Sequence, residues 1–264
     1  MNQRKIIGLL PAGGQAARIS PLPLSKELYP IGFQSLNNQS NSANLHPKVV
    51  SHYLLEKMCL AGIEIAYFIL RPGKWDIPTY FGDGTMLSMN LGYLIMGLSY
   101  GVPFTLEQAY PFVRDAIVAL GFPDILFQPE DAFTKILARQ ATTNADVVLG
   151  LFPTSTPQKA GMVDFDARGK VNLVIEKPQH SQLKYMWAIA VWTPVFTEFL
   201  HEYILTLQNK ANISQLPEIP IGNVIQAAIE NGMHVEAEVF PNGSYLDIGT
   251  PNDLIYAVHQ YSNL

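Results

Sequence analysis

Short apolar runs alternate along the chain with segments whose apolar residues recur at helical spacing. Ile6–Leu10 reads as a buried strand that stops at Pro11-Ala12-Gly13-Gly14. Val49, Val50, Tyr53, Leu54 and Met58 return every three or four residues, which predicts a helix closed by Ala61-Gly62. Ile63–Leu70, Ala116–Leu120 and Asp146–Leu151 predict further strands. Pro129-Glu130-Asp131 opens a helix that runs to about Gln140, with proline and acidic residues in its first turn. Val171–Ile175, Trp187–Val191 and Val235–Phe240 read as strands, and Pro194–Leu207 and Ile221–Glu230 as helices. Such alternation predicts an α/β fold, a mainly parallel sheet with helices on both faces.

Composition narrows the class. With 264 residues, 48% of them hydrophobic and 15% charged, the chain is not collagen, coiled coil or globally disordered. No repeat or linker interrupts it, so residues 1–264 read as a single domain. Seventeen Lys+Arg against 22 Asp+Glu give a net charge of −5, which supplies no basic face for nucleic acid. Any phosphate site must therefore be local. The single cysteine, Cys59, lies in an apolar stretch and excludes a disulfide framework. Ile6–Leu10 is shorter than a secretory apolar core of roughly 7–15 residues. The longest uncharged stretch, from Gly84 to Glu107, contains Asn90, Pro103 and four glycines, and reads as helix plus loop rather than a membrane span. The expectation is a cytoplasmic protein without membrane contact. Residues 34–45, nearly all Asn, Ser and Gln, read as a mobile polar insertion, a plain surface loop in the first place and a lid as the alternative, given its position soon after the first loop.

Four segments could carry chemistry. Gly13-Gly14-Gln15-Ala16-Ala17-Arg18 follows the first strand, with Pro21 and Lys26 beyond it. Adjacent glycines let backbone N–H groups approach a phosphate, and a helix N-terminus behind them would add positive potential. Arg18 can fork onto phosphate oxygens, and Lys26 adds a point charge. The dinucleotide fingerprint and the Walker A pattern are both absent. Asp124 follows a buried strand and a Gly-Phe-Pro turn, and Asp247 lies in Tyr245-Leu246-Asp247-Ile248-Gly249-Thr250. Strand ends along one edge are where open α/β sheets bind ligands. Two carboxylates meeting there suit Mg²⁺, which takes one or two protein carboxylates plus substrate phosphates. Glu176-Lys177-Pro178 closes the Val171–Ile175 strand. Each segment has a plain structural alternative, as a turn, a cap or a surface ion pair.

In this order, the segments resemble the bacterial sugar-1-phosphate nucleotidyltransferases, the nucleotide-sugar pyrophosphorylases of the glucose-1-phosphate thymidylyl- and uridylyltransferase kind. That family's Gly-Gly-x-Gly-Thr-Arg motif, followed by Pro, Lys and Pro, appears as Gly13-Gly14-Gln15-Ala16-Ala17-Arg18, Pro21, Lys26 and Pro30. Phe81-Gly82-Asp83-Gly84 and Tyr93 match its Gly-Asp-Gly and downstream Tyr. Asp124 matches its metal-binding Asp, Glu176-Lys177-Pro178 its Glu-Lys-Pro, and Tyr245–Thr250 its Trp-x-Asp-x-Gly-Thr.

The resemblance implies a three-layer, mainly parallel but mixed, Rossmann-like nucleotidyltransferase sheet. It implies transfer from a nucleoside triphosphate, dTTP or UTP, to a sugar-1-phosphate such as glucose-1-phosphate, giving NDP-sugar and pyrophosphate. Arg18, Lys26 and Lys177 would be catalytic, Gly13, Gly14, Gln15, Glu176 and Tyr93 would bind substrate, and Asp124 and Asp247 would hold Mg²⁺. A homo-oligomer is left open. Departures from the pattern bear on this. Ala16-Ala17 replaces Gly-Thr, and an alanine methyl makes a positive φ costly. Met96 falls near where the family often has a base-contacting Gln, and Ala188–Trp192 falls where it often has Gly near the sugar. Base and sugar therefore stay open. So do two other readings: a non-catalytic homologue that senses sugar nucleotides, and a nucleotidyltransferase acting on a non-sugar phospho-alcohol.

Overall fold

The computed structural model describes residues 4–35, 45–97, 100–210 and 218–261. In chain order the elements are β1 (Ile6–Ala12), β2 (Pro30–Ser35), β3 (Leu45–Val49), α1 (Val50–Leu60), β4 (Ile65–Leu70) and α2 (Asp76–Phe81). They continue with β5 (Asn90–Ile95), α3 (Val102–Glu107), α4 (Tyr110–Val113), β6 (Ile117–Leu120), β7 (Ile125–Gln128), α5 (Ala132–Thr143) and β8 (Val147–Pro153). The last third holds β9 (Gly161–Phe165), β10 (Val171–Glu176), β11 (Tyr185–Trp192), α6 (Pro194–Lys210), α7 (Ile221–Glu230), β12 (Val235–Val239), β13 (Ser244–Asp247) and α8 (Pro251–Tyr261).

Nine strands form the main sheet. β5, β4, β1 and β6 lie side by side and parallel, as strands with two covered faces do. β11 then runs antiparallel to β6 and to β8, and β8 is parallel to β12. The sheet is thus mixed, as expected. Successive β1 residues face opposite ways: Leu10 packs with Leu54, Met58, Phe68 and Phe133 of the α1 and α5 side, and Leu9 with Phe104, Phe196 and Val224 of the α3, α6 and α7 side. A smaller cluster of Ile31, Val50, Leu126, Ile248 and Ala257 seats α8. Among the described residues, no helix is long and apolar enough to cross a membrane.

Two expectations change. The stretch from Gly84 to Glu107 is not helix plus loop: its middle is β5, an edge strand parallel to β4, and only its end is the short α3. Most β5 side chains are half-exposed, and its apolar run, Leu91–Met96, is too short to tell strand from helix by periodicity. Residues 34–45 are flanked by the antiparallel β2–β3 pair, in which Ser35 faces Leu45. The lid expectation falls on residues 36–44, outside the described ones.

Leu54 is fully buried where α1 meets the sheet. Leu54→Ala should cost about 2–5 kcal/mol, read as a lower urea midpoint at unchanged slope. A loss below about 1 kcal/mol would show that this helix–sheet contact is not close-packed.

Candidate active site

The C-terminal end of β1 releases the chain into Gly13-Gly14-Gln15-Ala16, and residues 17–19 form a turn. The expected helix behind the glycines is not there. Instead the Ala16 carbonyl accepts from the amides of Ile19 (3.0 Å) and Ser20 (3.1 Å). Ala16 takes φ +53°, a left-handed conformation that its methyl makes costly. Positive potential at this loop therefore comes from side chains rather than from a helix dipole.

β7 and β13 supply the carboxylates. They pair antiparallel with Asp247 opposite Ile125, and the Ile248 amide donates to the Asp124 carbonyl at 3.2 Å. Asp124 and Asp247 consequently face the same hollow. Each has a cation beside it. The Lys26 ammonium, held by a short 3₁₀ turn, contacts Asp124 Oδ2 directly. The Arg18 guanidinium stands 3.9 Å from Asp247 Oδ2. It lies over Gly249, where any Cβ would collide with both Arg18 and Asp247. Asp247 Oδ1 is buried without a hydrogen-bond partner. Burial, together with the neighbouring Asp124 charge, pushes the Asp247 carboxyl up to about 6. Burial works against the Lys26 ammonium, but Asp124 outweighs it and the net shift is upward. Beside Lys26, the buried Glu27 is neutralised by Lys74 at 2.6 Å.

Two hollows meet at this centre. The larger, about 850 Å³, is lined by Gly13, Gly14, Gln15, Arg18, Lys26 and Thr105 among others. The smaller, about 280 Å³, includes Asp124, Asp247, Glu176, Phe122, Trp187 and Tyr245. Val102, Lys177 and Glu218 border both. Lys177 takes φ +47°, with its amide bound to the Ala160 carbonyl at 2.9 Å. Glu176 lies against the first turn of α7, and a Cβ on Gly222 would collide with its carboxylate. Burial raises the Glu176 carboxyl, while the Trp187 indole, the Lys177 charge and the Gly222 amide favour its ionised form.

The structure thus gathers Gly13, Gly14, Gln15, Arg18, Lys26, Asp124, Glu176, Lys177 and Asp247 around one double hollow. It does not bring Tyr93 there. The Tyr93 hydroxyl donates to the Gly82 carbonyl at 2.7 Å and its ring stacks on Phe68, so Gly82-Asp83-Gly84 and Tyr93 form a structural clamp. Met96 is buried under Gly13 and accepts from the Thr105 hydroxyl at 3.5 Å. Of Ala188–Trp192, Ala188 alone lines the smaller hollow, and Ile189–Trp192 are sealed in the sheet core. The residues that line it from this strand are Met186, Trp187 and Ala188, at the bulge where β11 shifts register against β8. Sequence reasoning missed Met186, Trp187, Tyr100, Val102 and Thr105. A strand-end aromatic such as Trp187 was a usable signal; loop residues such as Tyr100 carried none.

A family model described as Nucleotidyl transferase matches residues 7–263. The low-salt glycan biosynthesis nucleotidyltransferase Agl11 of Haloferax volcanii is 25% identical over 253 residues, 95% of this chain and 64% of that protein. A glucose-1-phosphate thymidylyltransferase of Xanthomonas campestris is 28% identical over 193 residues, 70% of this chain and 58% of that protein. The chain thus spans less than two thirds of the length of either relative. A Mycolicibacterium smegmatis glucose-1-phosphate thymidylyltransferase is 26% identical, with 95% of this chain and 80% of that protein covered. A solved UDP-glucose pyrophosphorylase complexed with UDP-glucose shares the fold, with a TM-score of 0.74 over 98% of both chains at 15% identity. With its mixed sheet, its glycine loop after the first strand and a family match over nearly its whole length, the chain belongs to the nucleotidyl transferase family.

Proposed function

We propose that this protein transfers a nucleotidyl group from a nucleoside triphosphate, dTTP or UTP, to a sugar-1-phosphate such as glucose-1-phosphate, releasing pyrophosphate. The observation that carries this reading is the paired charge centre, two carboxylates each beside a cation, at the junction of a large and a small hollow. The larger suits a nucleotide and the smaller a sugar phosphate. An oxygen of the acceptor phosphate attacks the α-phosphorus; that O–P bond forms as the bond to the β-phosphate oxygen breaks. The nucleophile is already anionic, so positioning and charge neutralisation carry the catalysis. Arg18 and the Gly13-Gly14 amides hold the triphosphate and stabilise the leaving pyrophosphate. Lys26 binds phosphate oxygens, Lys177 grips the acceptor phosphate at the border of the hollows, and Glu176 accepts hydrogen bonds from acceptor hydroxyls.

The site fits a hard divalent cation such as Mg²⁺: Asp247 Oδ1 is buried without a partner, and the Asp124 carboxylate stands beside it. Asp124 and Asp247 would hold Mg²⁺, which when bound supplies Lewis-acid polarisation and neutralises phosphate charge. A second reading keeps the chemistry and changes the acceptor. Phe122, Ile125, Met186, Trp187 and Ile219 make much of the smaller hollow apolar, which favours a phospho-alcohol with fewer hydroxyls than a hexose.

Pyrophosphate release should be measured with Mg²⁺, each common nucleoside triphosphate, and panels of sugar-1-phosphates and phospho-alcohols. Release with a sugar-1-phosphate supports the first reading. No release from any pair, with a melting shift on adding a nucleotide sugar, would make the protein a sensor. Arg18→Ala should cost about 2–4 kcal/mol of transition-state stabilisation; turnover close to wild type would remove Arg18 from the mechanism. Asp247→Asn separates a metal role from a structural turn. A carboxyl with a raised folded pKa contributes stability below its unfolded value, which is lost as pH rises through about 6. The metal-free variant should therefore melt higher than wild type above pH 7 and level with it near pH 3.5, while its turnover falls about a hundredfold or more. Parallel losses of melting temperature and turnover would favour the structural turn.

A further inference from the structure

We propose that Lys26 is an internal counter-ion that occupies Asp124 until a nucleotide's phosphates draw its ammonium away, so that the divalent metal enters with the nucleotide rather than before it. The inference rests on the reading of Asp124 and Asp247 as metal carboxylates. The ammonium of Lys26 is in direct contact with Asp124 Oδ2, and both side chains are largely buried, 14% and 16% exposed. Water therefore screens this pair poorly. A metal arriving alone must displace a bound cation from one of its two protein carboxylates.

The neighbouring charges add to the effect. Glu27 is paired with Lys74 through Oε1, which offsets its charge, although its Oε2 is buried without a hydrogen-bond partner. Arg18 stands beside Asp247. Two carboxylates already face two cations, and a lone dication would leave the centre strongly positive. A metal–triphosphate complex brings more negative than positive charge and supplies the anion that receives Lys26. Lys26 also lines the larger hollow beside Gly13, Gly14 and Arg18, so the swing from carboxylate to phosphate is a local one. Two carboxylates are, besides, fewer donors than an octahedral Mg²⁺ requires, and the remainder must come from substrate oxygens and water.

Mn²⁺ retained with the protein on ultrafiltration, which separates it from free Mn²⁺ and from the small Mn²⁺–dTTP complex, tests this without turnover. Lys26→Met and Lys26→Gln, both without charge, should bind Mn²⁺ alone about tenfold tighter than wild type. Lys26→Arg, which keeps the charge, should stay close to wild type. With saturating dTTP the advantage of the neutral variants should reverse, because the phosphates then lack the ammonium. Circular dichroism confirms that each variant is folded, and either neutral variant suffices. Neutral variants that bind Mn²⁺ no better than wild type, while Asp247→Asn abolishes binding, would overturn the counter-ion and leave the metal carboxylates standing. No Mn²⁺ binding by any of these proteins, with or without dTTP, would overturn both.

Discussion

Two carboxylates and two cations packed into one partly buried junction organise the rest of this molecule. A short antiparallel ladder between β7 and β13, segments half a chain apart, sets Asp124 and Asp247 side by side. Left alone, two carboxylates in such a place repel and resist ionisation. Lys26 and Arg18 offset that, one in contact and one at 3.9 Å. Asp247 nevertheless keeps a buried oxygen without a hydrogen bond and an elevated pKa. A fold selected for stability alone has no reason to keep such a group. Strain of this kind gathers where ligands bind.

The same economy governs the glycine loop. No helix follows it, so no helix dipole assists anion binding. Backbone amides and the exposed charge of Arg18 take over that role in the proposed mechanism. Ala16 holds a left-handed conformation in which a side chain is disfavoured, and the turn is kept by the two amides that its carbonyl accepts. Relative to a Gly-Thr version the loop carries one hydroxyl fewer and one methyl more.

Division of the site into two hollows follows from how β11 is shared. One edge of β11 pairs with β8 along its whole length; on the other edge Met186 meets β9 beside the smaller hollow, and Ala190–Trp192 seal against β6. The bulge near Ala188 marks the switch. Side chains before it are free to define an acceptor, and those after it serve the core. Trp187 and Met186 line the smaller hollow, together with Phe122 from the loop before β7. Glu176, seated against the start of α7, is the fixed polar counterpart to these apolar walls.

Periodicity in the sequence was enough for the buried elements. β1, α1, β6, β8, α7 and β12 appear within a few residues of where their apolar spacing puts them, because burial on both faces leaves a continuous signature. The glycine loop and Asp124 were legible for a related reason, since each follows a buried strand, β1 or β6; Glu176-Lys177 and Asp247 were legible from their short motifs instead. Half-exposed elements were not. β5 and β7 do carry apolar runs, Leu91–Met96 and Ile125–Phe127, but runs this short do not distinguish strand from helix or loop; β13 offers only Tyr245-Leu246, and the β7–β13 pair exists only once the chain has closed on itself. Tyr93 and Met96 show the converse: a motif gave their positions, while packing against Phe68 and beneath Gly13 decided their roles. Local sequence determined which residues end strands; tertiary structure alone decided which strand ends share a hollow and which cation meets which carboxylate, because those pairings join segments that no local interaction links.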